Sequence, residues 1–109
     1  MEVASPKEFF EEILPKRFKP EKAADICVTV QVSITGANGG NWIVTIKDQK
    51  LEVKEGVHPS PILSLRMAER DYMDLVNDRI SAEKAFFTGK IHFKGNIALA
   101  LKLRDTGFL

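Results

Sequence analysis

The chain has 109 residues, 44% hydrophobic and 28% charged, a size and balance that suit one globular domain and exclude a disordered or fibrous chain. Its 16 Lys and Arg stand against 15 Asp and Glu for a net charge of +1, so no basic field covers the molecule and no nucleic-acid partner is expected. The single cysteine, Cys27, cannot form an internal disulfide, and no apolar run approaches the ~18 residues of a membrane span, so a soluble, reducing, cytoplasmic setting is expected.

The start, Met1-Glu2-Val3, lacks the basic-then-apolar order of a signal peptide, and the last residues, Gly107-Phe108-Leu109, do not match the Ser-Lys-Leu peroxisomal address. Ser5-Pro6-Lys7-Glu8 then carries three helix-start signals: a hydroxyl cap, a proline at the first helical position and a glutamate placed to close a capping box. Phe9, Phe10, Ile13 and Leu14 follow as an apolar stripe, and Pro15 is expected to stop the helix. Lys19 to Ala24 has a second proline-led start and reads as one further turn.

From Ile26 the apolar period becomes two. Ile26, Val28, Val30, Val32 and Ile34 share one strand face, with Thr29, Gln31, Ser33 and Thr35 on the other. Gly36-Ala37-Asn38-Gly39-Gly40 lacks the Lys-Ser/Thr of a phosphate loop and reads as a hairpin turn. Trp42, Val44 and Ile46 alternate on a second strand, Lys47-Asp48-Gln49-Lys50 turns the chain, and Leu51 and Val53 mark a third. An antiparallel meander results.

Gly56 to Pro61 is expected to cross between elements, because its two prolines lack donors and restrict their predecessors. Leu63, Leu65 and Met67 give a fourth strand, and Asp71 to Asn77 reads as a helix with Tyr72, Met73, Leu75 and Val76 inward. Ser81 caps another helix that runs through Phe86 and Phe87 to Gly89. Ile91 and Phe93 set the core face of a fifth strand, with Lys90, His92 and Lys94 outward. The segment after Gly95 fits either a helix capped by Asn96 or a sixth strand, and its helix-forming composition favours the helix.

No reaction is legible. His58 and His92 have no partner at metal-ligand spacing, Cys27 has no flanking base, and the acidic residues of the first and central helices lie at solvated-face spacing. No catalytic residue, metal or cofactor is therefore assigned. Charge is uneven, however: from Arg79 to Arg104 the only acidic residue is Glu83, a local excess of +5 that leaves −4 for the remainder. A solvated face accounts for this, as does a site for an anionic head group or a membrane surface. The bulky apolar residues beyond position 70 serve equally as plain core or as the lining of an apolar binding tunnel.

The run from Ser81 to Leu103, Ser-Ala-Glu-Lys-Ala-Phe-Phe-Thr-Gly-Lys-Ile-His-Phe-Lys-Gly-Asn followed by Ile-Ala-Leu-Ala-Leu-Lys-Leu, closely resembles the signature of the sterol carrier protein type two family. The Leu14 to Ala23 connector, the long strand, the glycine turn and the Trp42 strand match its order of elements, and the resemblance covers nearly all of the chain. It implies an α+β fold over residues 1–109, with a five-stranded mostly antiparallel sheet, helices packed on one face and an apolar tunnel between them. It further implies non-covalent binding and transfer of fatty acids, fatty acyl-CoA, sterols or phospholipids, without cofactor. The lining expected on this basis is Trp42, Met73, Val76, Ile80, Phe86, Phe93, Ile97 and Leu101, with the terminal helix closing the tunnel. A membrane surface met in transit and a lipid-metabolising enzyme are the implied partners. The alternative is a non-catalytic interaction module, or an accessory subunit, with a fully packed core.

Overall fold

A computed structural model describes residues 3–96, 98, 99 and 102. Ser5 caps the first helix as expected: its Oγ accepts from the Glu8 N–H at 3.2 Å, and Pro6 occupies the first turn. α1 (Pro6–Glu8) passes into a π turn, Phe9–Ile13, and then into α2 (Leu14–Arg17), so Pro15 does not stop the helix. A proline ring clashes with the carbonyl four residues back and offers no N–H in return. The π turn has already broken that register, because the Leu14 N–H donates to the Phe9 carbonyl five residues back. The wide turn also points Phe9 and Phe10 inward together, both fully buried. The turn expected after Lys19 is a short 3₁₀ helix, Pro20–Lys22.

Four strands follow: β1 (Val28–Thr35), β2 (Gly40–Lys47), β3 (Lys50–Glu55) and β4 (Leu63–Ala68). The β2–β3 turn has positive φ at both central residues, Asp48 (52°) and Gln49 (61°), which is the handedness a two-residue hairpin requires. After β4 come α3 (Glu69–Val76), α4 (Ala82–Phe87) and β5 (His92–Lys94). Beyond them Ala98, Leu99 and Lys102 are helical, and the Asn96 side chain accepts from the Leu99 N–H at 3.3 Å. That settles the helix reading over the sixth strand at these residues.

The sheet order is β3-β2-β1-β4-β5, with β1 and β4 parallel and the other three pairings antiparallel. The architecture is α+β, as the family resemblance implied. Because β3 and β4 lie on opposite sides of the central pair, Gly56 to Ile62 must cross the sheet. Gln31 holds this crossing. Its Nε2 donates to the Gly56 carbonyl at 3.0 Å and its Oε1 accepts from the His58 N–H at 2.6 Å. The sequence places Gln31 on the polar face, and it is there, yet only 7% exposed beneath the loop.

On the opposite face Val28, Val30, Val32, Trp42, Val44, Ile46, Leu63, Leu65 and Met67 are buried under the helices. The helix layer is tied together by polar contacts at its ends. Asn77 receives the Val3 N–H (2.6 Å) and donates to the Val3 carbonyl (3.1 Å), while Arg17 donates to the Val76 carbonyl (3.3 Å) and lies over the Phe9 ring. A cation at the last carbonyls of α3 suits the negative end of its dipole.

Candidate functional site

Three aromatic rings from three elements stack beneath the helices. Phe10 lies between Trp42, with centroids 4.9 Å apart and planes 21° apart, and Tyr72, at 5.5 Å and 12°. Phe9 meets Tyr72 edge-on at 5.7 Å. Each ring arrives through its own element: Trp42 by strand alternation, Phe10 by the π turn and Tyr72 by the inward stripe of α3. Trp42 also needs Gly40 two residues earlier on the same strand face, since a Cβ there would lie 2.9 Å from the indole Cη2.

The stack contains two polar atoms. Trp42 Nε1 and Tyr72 Oη are buried and meet no hydrogen-bond partner among the described residues. Indole and phenol groups taken from water normally find an acceptor. Burial also pushes the Tyr72 phenol well above its ordinary value of 10.0, against a smaller opposing pull from Arg17. The group stays neutral, and the sign of its pH effect follows. Below about pH 10 the phenol is protonated in folded and unfolded chains alike, whereas above it only the unfolded chain ionises, so stability falls as pH rises. Tyr72→Phe is expected to remove part of that alkaline loss and, at neutral pH, to leave the ligand-free protein as stable or up to about 1–3 kcal/mol more stable. Urea unfolding at the two pH values reads both effects.

Around the stack the expected lining residues occupy graded positions. Trp42 and Val76 are buried, at 2% and 3% exposure, while Met73, Ile80 and Phe93 are half-buried and pack against the core. Phe86, expected inward, is 44% exposed. Ile97 and Leu101 lie outside the described residues, although their neighbour Leu99 is half-buried against the core. Phe10 and Tyr72 were not in the expected lining. The signal for Tyr72 was a lone phenol on an otherwise apolar helix stripe; Phe10 depended on a π turn that no local pattern announces.

Elsewhere the chemistry is sparse. No group of three or more His, Cys, Asp or Glu is gathered as a metal site among the described residues. The His58 Nδ1 accepts from the Ser60 N–H at 3.0 Å within its loop, His92 is exposed on β5, and Cys27 is an exposed free thiol. An open depression on the outer side of the first helix is lined in part by Glu8, Glu11, Glu12 and Lys16. No described helix is long and apolar enough to cross a membrane.

The described residues thus form an α+β layer with a stacked aromatic interior. Residues 10–106 match the family model described as the SCP-2 sterol transfer family, and the chain belongs to that family of lipid-binding and lipid-transfer domains. It is 35% identical over 75 residues to hydroxysteroid dehydrogenase-like protein 2 of Rattus norvegicus, covering 67% of this chain and 14% of that protein. It is 30% identical over 70 residues to human sterol carrier protein 2, covering 64% of this chain and 13% of the relative. The chain thus spans about a seventh of these relatives. Among solved structures, palmitated sterol carrier protein 2 like 2 from Aedes aegypti superposes with a TM-score of 0.74 at 26% identity, covering 94% of this chain and 93% of that one.

Proposed function

We propose that the chain is a single lipid-carrying domain that takes up an apolar ligand, non-covalently, in a tunnel between the helices and the sheet. The ligand classes are fatty acids, fatty acyl-CoA, sterols and phospholipids. The lining is Trp42, Met73, Val76, Ile80, Phe86, Phe93, Ile97 and Leu101, with Phe86 at the mouth. The observation that supports this reading is that Met73, Ile80, Phe93 and Leu99 pack against the buried core while remaining partly exposed. Burying an acyl chain against these residues is worth about 0.8 kcal/mol per CH₂, so affinity needs little shape recognition. The unpartnered Trp42 Nε1 and Tyr72 Oη add two donors for a ligand oxygen. The palmitated relative from Aedes aegypti supports the same reading by its fold likeness. No covalent step is assigned, and a lipid-metabolising enzyme is the natural source or recipient of the cargo.

A specific observation favours the alternative, an interaction module with a filled core: the Trp42–Phe10–Tyr72 stack is itself closely packed. Titration with a dansyl-labelled fatty acid separates the two. The carrier reading expects saturable binding displaced by unlabelled palmitate, and a drop in affinity of about tenfold or more in Met73→Lys, where a half-exposed site tolerates the charge without ligand but not beneath an acyl chain. A flat titration favours the filled core, whereas saturable binding with an unchanged affinity in Met73→Lys removes Met73 from the lining.

A further inference from the structure

Two of the large apolar side chains exposed among the described residues are neighbours in sequence and in space. Phe86 is 44% and Phe87 83% exposed, and their rings meet edge-on with centroids 5.9 Å apart. The reason lies in α4. Three apolar residues in succession cannot all face inward on a helix, and Ala85 takes the buried position at 0% exposure, so the next two turn outward. The corner is built firmly. The Lys90 N–H donates to the Ala85 carbonyl at 2.9 Å, the Gly89 N–H to the Phe86 carbonyl at 3.2 Å, and Gly89 has a φ of 77°, which together form a hydrogen-bonded helix terminus. The two rings are therefore presented at a fixed place.

Positive charge accompanies them. Lys84 lies one turn before Phe87 and is exposed beside the exposed Glu83, Lys90 follows three residues after Phe87, and Lys94 and Lys102 are exposed further along the chain. They belong to the stretch whose local excess is +5 in a chain of net charge +1. An aromatic pair flanked by Lys84 and Lys90 matches the interface of an anionic bilayer, where rings enter the boundary between headgroups and acyl chains and ammonium groups stay at the phosphates. A second copy of the chain is the other occupant the test below distinguishes.

We propose that the α4 corner, with Phe87 at its tip, is where the protein docks on an anionic phospholipid surface. The inference rests on the carrier reading, for which it names the point of exchange: Ile80, two residues before α4, and Ala82, its first residue, are partly buried against the core. The experiment is co-sedimentation of the full chain with vesicles of phosphatidylserine in phosphatidylcholine, and with phosphatidylcholine alone. Binding to the anionic vesicles, weakened by salt and by Lys84→Glu, is expected, and Phe87→Ser is expected to lower partitioning about tenfold. Phe87 touches water on most of its surface, so the urea midpoint and the solution affinity for dansyl-labelled fatty acid stay unchanged in Phe87→Ser. Absence of wild-type binding to anionic vesicles, or equal binding by Phe87→Ser, overturns the proposal. So does a wild-type dimer that Phe87→Ser dissociates, which assigns the patch to a second copy. If vesicle binding behaves as expected while the fatty-acid titration is flat, the docking surface stands and the carrier reading falls.

Discussion

Phe10→Ala is expected to cost about 3–5 kcal/mol, a large share of the roughly 5–15 kcal/mol that stabilises a domain of this size. Phe10 is fully buried, and its removal takes away both faces of a stack, the contact to Trp42 at 4.9 Å and that to Tyr72 at 5.5 Å. Each such aromatic pair contributes about 0.5–1.5 kcal/mol beyond area burial. The π turn that presents Phe10 is flanked by Pro15, so the backbone has little freedom to collapse into the space left behind. Thermal unfolding should shift down by roughly 10–20 °C. A loss below about 1 kcal/mol would mean that Phe10 borders space already open in the fold.

Gly95→Ala should be nearly as damaging, for a backbone reason. Gly95 has a φ of 128°, in the region that L side chains rarely adopt, and a Cβ there would lie 2.6 Å from Leu63 Cδ2 and 2.8 Å from the Ile62 carbonyl oxygen. The carbonyl cannot yield without moving the start of β4. Strain and overpacking together place the cost at about 2–6 kcal/mol. Because β5 is only three residues long and, among the described residues, pairs only with β4, hydrogen exchange should show its protection lost first, while β1 and β2 stay protected. Fatty-acid affinity should fall as well, since Phe93 and Leu99 lie to either side of Gly95. An unchanged urea midpoint would contradict this account of the corner.

Much of the fold was legible because its determinants are local. The alternation of Val28 to Ile34, the Ser5 and Ser81 caps, the polar turn at Asp48-Gln49 and the Asn96 cap each declare themselves within a few residues. What stayed hidden was set at a distance. Alternating apolar residues look alike in parallel and antiparallel pairs, so the β1–β4 pairing was not readable from either strand. Pro15 read as a stop because the π turn that accommodates it leaves no local signature. Phe86 read as inward because Ala85-Phe86-Phe87 is uniformly apolar, and only the close approach of α4 to the body decides that the smallest of the three is buried. The site divides in the same way. Periodicity gives the inward facing of Trp42, Met73 and Val76, and the resemblance alone proposes them as lining, whereas the partnership of Trp42 with Phe10 and Tyr72 joins residues 30 or more positions apart.

The central claim is that this interior carries a lipid. Native mass spectrometry of the full chain, purified without detergent and then offered palmitate, tests it most directly. The account predicts a one-to-one adduct that survives gentle transfer, at the mass of a fatty acid or of a co-purified lipid, and that weakens in Met73→Lys. A spectrum of the unliganded chain alone, at palmitate concentrations where the palmitated Aedes aegypti relative forms its complex, would contradict it.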